Sequence, residues 1–362
     1  MKEVLFMPPK YKIIADTLKN EIINDVYNDK MLLPTEQILC ERFKASRQTI
    51  RQALSILVSD GLIERRQGSG SHICGLSSSN TKSLKVIAVV TTYISDYIFP
   101  SILREIENVL SLNGCTPLLF ATQNQVSNER KILKNLLSLD NLDGILVEGT
   151  KSGLPNPNID LYKKLIKKQI PIVFLHSNYP ELSECYSVLD DNYSGGQILV
   201  NYLYNKGHRK IAGIFKNDDI QGHKRYAGYT DTLRDLDLVF DDNQVFWYNT
   251  EFKNKLISDN TGIESIISIL NDCTAVICYN DEIASRLINH LIKKGVKIPQ
   301  DISVVSFDNS HYSELSIPRI TSLSHGIYNV GRMASKIMIK LINHEKTMSE
   351  LAPWILIEKE SS

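Results

Sequence analysis

The chain has 362 residues, 43% of them apolar, which is enough for more than one buried core; a chain of this length suggests two or three domains. Lysine plus arginine equals aspartate plus glutamate at 41 each, so any nucleic-acid surface must be local rather than a property of the whole chain. The six cysteines (Cys40, Cys74, Cys115, Cys185, Cys273 and Cys278) form no CxxC pair and no zinc-spaced cluster. They read as reduced thiols of a cytoplasmic protein, with no metal site expected. The opening MKEVLFMPPK lacks a secretory apolar core, and no run of about 18 apolar residues occurs, so neither export nor a membrane span is expected.

In chain order, YKIIADTLKNEIIN comes first and places Ile13, Ile14, Leu18 and Ile22 on one helical face. In LLPTEQILCERF, Pro34 stops the preceding segment, Thr35 can cap a helix, and Glu36 suits its first turn. A break at Lys44-Ala45-Ser46 leads to RQTIRQALSILVSDG, a helix whose apolar stripe is Ile50, Ala53, Leu54, Leu57 and Val58, with Gly61 as its terminator. Leu62-Ile63 and His72-Ile73 flank the loop RRQGSGSHI and can pair as a hairpin.

That loop is built to meet phosphate, with Arg65 and Arg66 for charge and Gly68 and Gly70 for close approach. A nucleotide loop would need a lysine, then Ser or Thr, then a helix start. Here the chain runs instead into Ile-Cys-Gly and the polar segment GLSSSNTKS, a linker. Two helices joined by a three-residue turn, followed by a hairpin, make a winged helix-turn-helix. The second helix buries its apolar stripe and presents Arg47, Gln48 and Arg51, residue types that pair with guanine and adenine edges in the major groove. Ser46 and Thr49 offer hydroxyls to phosphate. The phosphate is therefore expected to be that of DNA.

The string from Leu32 to Ile73 resembles the GntR-type DNA-binding domain in its L-P-T-E opening, its S-R-x-T-x-R recognition helix and its R-x-G-x-G wing. The resemblance implies DNA contacts at Glu36, Gln37, Ser46, Arg47, Gln48, Thr49, Arg51, Gln67 and Gly68. Lys44 stands where the family turn usually has glycine. A left-handed backbone there costs about 1 kcal/mol, which a phosphate contact by Lys44 could offset.

From Leu84 the grammar changes. Short apolar runs (KVIAVVTT, TPLLFATQ, GILVEGT, PIVFLHS, KIAGIFK, TAVICYN, ISVVSFD) alternate with amphipathic segments, which predicts parallel α/β structure in one large sheet or in two lobes. The domain reading is residues 1–74 as the winged helix-turn-helix, 75–83 as linker, and 84–362 as an effector-binding and dimerisation domain.

In open α/β sheets, ligands collect at the C-terminal ends of the strands. The polar and aromatic residues at those ends are Tyr93, Asp96, Tyr97 and Phe99, then Glu148, His176, Asp191 and Lys216. Asn280, Asp281, Asp308 and His325 follow at the later strands, and Arg225 opens the helix KRYAGYTDTL. Carboxylates and arginine hold paired hydroxyls while aromatic rings cover the apolar face of a sugar, so the set suits a polyhydroxyl ligand. Asp281 could equally serve only as a helix cap. An enzyme using Asp96, Glu148 and Asp191 as acid and base is the distant alternative, since neither a phosphate loop nor a dinucleotide motif is present.

LDDNYSGGQILVNYLYNKGHRKIAGI, CYNDEIA, IPQDISVVSFDNS and the segment ITSLSHGIYNVGRMASKIMIKLI resemble the LacI/GalR-type effector domain, which is related to periplasmic sugar-binding proteins. A GntR-type head on such a body is similar to the arabinose-repressor family of Gram-positive bacteria. The resemblance implies two α/β lobes that close on L-arabinose or a related small sugar, a homodimer on operator DNA, repression released by the sugar, and no cofactor. A hexose, a purine or a sugar phosphate remains open as the effector.

Overall fold

The structure is a computed structural model that describes residues 9–23, 27, 32–59, 62–66, 70–73, 85–259 and 262–362. Gly61, the wing residues Gln67 and Gly68, and the segment 75–83 lie outside that set. Two compact units divide the chain, Met1–Ser83 and Leu84–Ser362.

The first unit holds α1 (Lys10–Ile23), α2 (Glu36–Phe43), α3 (Arg47–Ser59) and the hairpin β1 (Ile63–Arg66) and β2 (Gly70–Ile73). The hairpin is antiparallel with Ile63 opposite Ile73, as expected. Ile14, Ala15, Leu18 and Ile22 of α1 pack against Leu39 of α2 and against Ile50, Ala53, Leu54 and Leu57 of α3. Two expected core residues are not in that core: Ile13 is 46% exposed and Val58 41%. At about 100° per residue, Ile13 lies about 140° from Leu18, and Val58 lies about 80° from Ile50, so both fall off the buried stripe. Thr35 caps α2 by accepting from Ile38 N–H at 3.4 Å. Lys44 takes the left-handed conformation (φ 45°, ψ 51°), which makes the tight turn between α2 and α3 without a glycine. Its N–H reaches back to the Cys40 and Glu41 carbonyls, closing the end of α2.

The second unit contains two six-stranded sheets, which settles the choice between one sheet and two lobes. The first-lobe strands are β3 (Lys85–Thr91), β4 (Cys115–Ala121), β5 (Leu142–Glu148), β6 (Ile172–His176) and β7 (Tyr186–Asp190). The second-lobe strands are β8 (Ile211–Lys216), β9 (Val245–Tyr248), β10 (Ala275–Cys278), β11 (Ser303–Phe307) and β12 (Thr321–Ser324). Two late strands finish the sheets: β13 (Glu350–Ala352) joins β7 in the first lobe, and β14 (Ile355–Ile357) joins β12 in the second. Every pairing in these two sheets is parallel except β12 with β14.

Helices cover both faces of each sheet. In the first lobe α4 (Phe99–Leu112) lies on one face, and α5 (Val126–Leu137) and α6 (Ile159–Lys167) lie on the other. In the second lobe α7 (Asn192–Asn205) and α8 (Ile220–Asp235) cover one face. The other face carries α9 (Thr250–Asp259), α10 (Ile263–Ser268) and α11 (Asp281–Lys293). The short α12 (His311–Leu315) follows β11, and α13 (Val330–Ile342) returns to the first lobe beside α4. Strands covered on both faces read as continuous apolar runs, which is why their sequences do not alternate. The chain passes between the lobes three times: from β7 to α7, from β12 to α13, and from β13 to β14. Among the described residues no helix is long and apolar enough to cross a membrane.

Candidate DNA-binding face and effector cleft

In the first unit, Ser46 Oγ accepts from Thr49 N–H at 3.2 Å and lies 2.8 Å from the Thr49 hydroxyl, so these two residues open α3 as a capped helix. Arg47, Gln48 and Arg51 are exposed on it. Glu36 accepts from Arg51 Nε at 3.0 Å and from Arg65 at 3.3 Å, so one carboxylate ties α3 to the first strand of the wing. Gln37 is exposed beside it, and the Lys44 carbonyl accepts from Lys10 Nζ at 2.7 Å.

In the second unit, the C-terminal ends of the parallel strands from both lobes converge on a cavity of about 240 Å³. That lies below the roughly 300–1,000 Å³ of pockets for drug-sized ligands, and suits a small molecule. Eleven of the thirteen residues expected at the site line it: Tyr93, Asp96, Tyr97, Phe99, Glu148 and His176 on the first-lobe side, then Lys216, Arg225, Asn280, Asp308 and His325.

Asp191 and Asp281 do not line it. Asp191 caps α7, its carboxylate accepting from Ser194 N–H, and its neighbour Asp190 faces the cavity instead. Strand alternation turns one of the pair inward, and the two-residue string alone did not show which. Asp281 is fully buried behind the wall, where it accepts from Ser322 Oγ at 2.7 Å, Ser310 N–H at 2.6 Å and Ser306 Oγ. The cap of α11 is Asn280, not Asp281, with its side chain accepting from Ile283 N–H at 3.1 Å. Burial and nearby Asp308 push the Asp281 carboxyl up to about 7, against the lowering effect of those hydrogen bonds.

The wall is a chain of paired charges. Asp190 accepts from His176 Nδ1 at 3.1 Å and from Gln221 Nε2 at 2.7 Å, and lies 2.9 Å from His325 Nε2. Burial works against a charged His176 ring, but the Asp190 carboxylate outweighs it and lifts the pKa to about 9. Asp190 is correspondingly held well below the usual carboxylate range: burial is overcome by His176 and His325. Burial raises Glu148, partly offset by His176 and by the Thr92 N–H and hydroxyl bonds at 2.9 and 2.6 Å.

On the other lobe, Lys216 Nζ lies 3.0 Å from both Asp218 and Asp219. Arg225, 1% exposed, donates to Asn192 Oδ1 at 2.8 Å, to the Tyr279 carbonyl, and to Asp308 Oδ1 at 3.4 Å. Its guanidinium lies 4.1 Å from the centre of the Phe307 ring, a cation–π contact that suits a desolvated arginine. Tyr97 crosses from the first lobe, its hydroxyl donating to Asp308 Oδ2 at 2.7 Å. Tyr97, His176 and Asp308 all adopt positive φ (56°, 61° and 92°), a strain that gathers at functional sites.

Several lining residues escaped the sequence. Tyr248 ends β9, a four-residue strand too short to stand out as a run. Gln221 sits four residues before Arg225 on α8, and that helical spacing was a usable signal. Thr92, Asp219, Lys253 and Tyr279 also line the cavity.

Two buried polar atoms in this wall have no partner: Nε2 of His176 and the hydroxyl of Tyr248, on side chains 5% and 2% exposed. A buried unpaired donor costs about 1–3 kcal/mol, so such atoms call for an explanation. The His176 ring is protonated at neutral pH and its Nδ1 is engaged, which makes Nε2 a donor.

Residues 10–73 match the gntR family of bacterial regulatory proteins, and residues 200–362 match the periplasmic binding protein-like domain. The chain is 33% identical to the arabinose metabolism transcriptional repressor of Halalkalibacterium halodurans, over 94% of this chain and 91% of that one. It is also 33% identical to the repressor of the same name from Geobacillus stearothermophilus, over 92% and 91%. Among solved structures, the periplasmic binding protein/LacI transcriptional regulator from Alkaliphilus metalliredigens, complexed with D-xylulofuranose, superposes with a TM-score of 0.65 at 27% identity, covering 77% of this chain and 99% of that one. The protein is thus a regulator rather than an enzyme, and belongs to the family of transcriptional repressors in which a gntR-type DNA-binding domain precedes a LacI-like, periplasmic-binding-protein-like domain.

Proposed function

We propose that this repressor binds operator DNA as a homodimer and releases it when L-arabinose enters the cleft between the lobes. The observation that carries the effector part is the pair of unpartnered buried groups, His176 Nε2 and Tyr248 OH, in the wall of a cavity of about 240 Å³. A sugar supplies an oxygen to the first and a hydroxyl to the second, while Tyr93 and Phe99, whose ring centres lie 6.0 Å apart, offer an apolar surface to its C–H face. The cations that line the cavity also bear on the ligand. Lys216 pairs with Asp218 and Asp219, Arg225 with Asp308, Lys253 with Glu282, and His176 with Asp190. Each of these cations is already neutralised by a carboxylate, so the wall offers a phosphate no surplus positive charge, and an uncharged sugar fits better than a sugar phosphate. The names of the two repressors that are 33% identical favour arabinose among the neutral sugars.

On DNA, α3 enters the major groove with Arg47 and Gln48 toward base edges. Ser46, Thr49 and Lys44 serve the backbone, and so does Arg51, which its ion pair with Glu36 draws off the base edges expected for it, Glu36 orienting Arg65 as well. Gln37, and the wing residues Gln67 and Gly68, are proposed to contact DNA by the family resemblance. Sugar stabilises the closed lobes, which changes the dimer interface and lowers DNA affinity; linkage then requires bound DNA to weaken sugar binding by the same factor.

The test is calorimetric titration with L-arabinose, D-xylose, D-ribose and D-galactose, followed by fluorescence anisotropy on a DNA ligand selected from a random pool. Selective heat with L-arabinose, lost in Tyr248→Phe combined with His176→Phe, is the expected result. Heat with another sugar alone would keep the regulator and discard arabinose.

A further inference from the structure

Besides the wall contacts of Tyr97 with Asp308 and of Asp190 with Gln221 and His325, the two lobes touch along a second seam. From the first lobe, the loop after β5 presents Lys151, Ser152 and Gly153. From the second, the turn after β8 presents Asp218–Ile220, and the start of α9 presents Thr250 and Glu251. Lys151 Nζ lies 2.5 Å from Glu251 Oε1 and 3.9 Å from Asp218 Oδ2. Lys151 N–H also donates to Asn124 Oδ1 at 2.8 Å, which aims the other end of that amide at Thr250 Oγ1, 2.6 Å away. Backbone meets backbone at Gly153, whose N–H points to the Asp218 carbonyl at 3.4 Å, and Ile220 N–H donates to Ser152 Oγ at 3.2 Å. A Cβ at Gly153 would lie 2.9 Å from both the N and the C of Asp219, closer than real Cβ atoms come to backbone. Glycine is required there by the opposite lobe.

We infer that this seam is a latch that sets the effector concentration needed to close the lobes, acting through Lys151, Gly153 and Glu251, none of which lines the cavity. The inference rests on the cleft being the effector site, as proposed above. Opening the lobes must separate these groups, because they belong to different lobes and are joined only by contact. Every interaction in the seam therefore counts toward the closed state alone, and a ligand that selects that state inherits it. The three residues tune sensitivity without touching the ligand.

The test has two arms. In the ligand-free full-length protein, amide hydrogen exchange is followed by mass spectrometry in peptides spanning residues 149–154 and 217–221. Gly153→Ala should speed exchange in both, because the added methyl keeps the lobes from seating. By calorimetry, the same variant should bind L-arabinose on the order of tenfold more weakly, with DNA affinity in the absence of sugar no weaker than that of the wild type. Lys151→Met and Glu251→Gln should each weaken sugar binding by up to about fivefold, and the double variant should be no worse than Lys151→Met alone, because removing the lysine already breaks its contacts with both Glu251 and Asp218. The latch is overturned if Gly153→Ala leaves exchange at wild-type rates, or leaves sugar affinity within about twofold of wild type. It is also overturned if the two charge deletions simply add. Failure of the wild type to bind L-arabinose would sink the effector assignment instead, and the exchange arm would still decide the latch.

Discussion

His176 makes the stability of the second unit depend on pH between 6.5 and about 9. Its folded pKa is raised from 6.5 to about 9 because Asp190 faces the buried ring. A histidine raised in this way stabilises the fold fully below pH 6.5, and the contribution is lost as pH rises through about 9. The size of the shift corresponds to about 3 kcal/mol. Asp190 shares the same interaction and must not be counted again; its own loss comes only as pH falls through its depressed pKa. Asp281 acts lower, since a carboxyl raised from 3.8 to about 7 removes stability as pH rises across that interval. Both tryptophans of the chain, Trp247 and Trp354, lie in Leu84–Ser362, so tryptophan fluorescence during urea unfolding reports on that unit alone. The unfolding free energy should fall by about 3 kcal/mol between about pH 6.5 and about pH 9.5. In His176→Asn that slope should vanish, leaving a flat and lower curve. A wild-type decline of less than about 1 kcal/mol, or an equal decline in the variant, would refute the pairing as the source.

Arg225→Met should destabilise the same unit by about 3 kcal/mol, read by the same fluorescence, because it removes a fully buried guanidinium that serves the Asn192 side chain, the Tyr279 carbonyl and Asp308 together. Lys44→Gly should raise the thermal stability of the first unit by up to about 1 kcal/mol, measured by the loss of helical circular dichroism, since φ 45° is strained for lysine and free for glycine. Arg51→Ala should weaken DNA binding for all sequences alike and lower the slope of log affinity against log salt by about 1. Arg47→Ala should instead flatten the preference among sequences, as selection from a random pool would show.

The helix-turn-helix was legible in the chain, because caps, turns and helical stripes are local: Thr35 and Ser46 open helices where their hydroxyls can reach the next N–H groups, and the Lys44 turn adopts the left-handed backbone anticipated for it. So was the parallel α/β character of the larger unit, since strands buried on both faces must be apolar throughout, and so was the placing of eleven cavity residues at strand ends. The rest came from long-range packing. The split into two lobes comes from the chain leaving one sheet for the other after β7, and the edge strands β13 and β14, three residues each, join different sheets through pairings with strands far away in the chain. The inward turn of Asp190 rather than Asp191, the seating of Asp281 among serines behind the wall, and the approach of Gly153 to Asp219 arise from packing between distant elements. No local period in the chain encodes such contacts, because their partners lie tens to more than a hundred residues away in the chain.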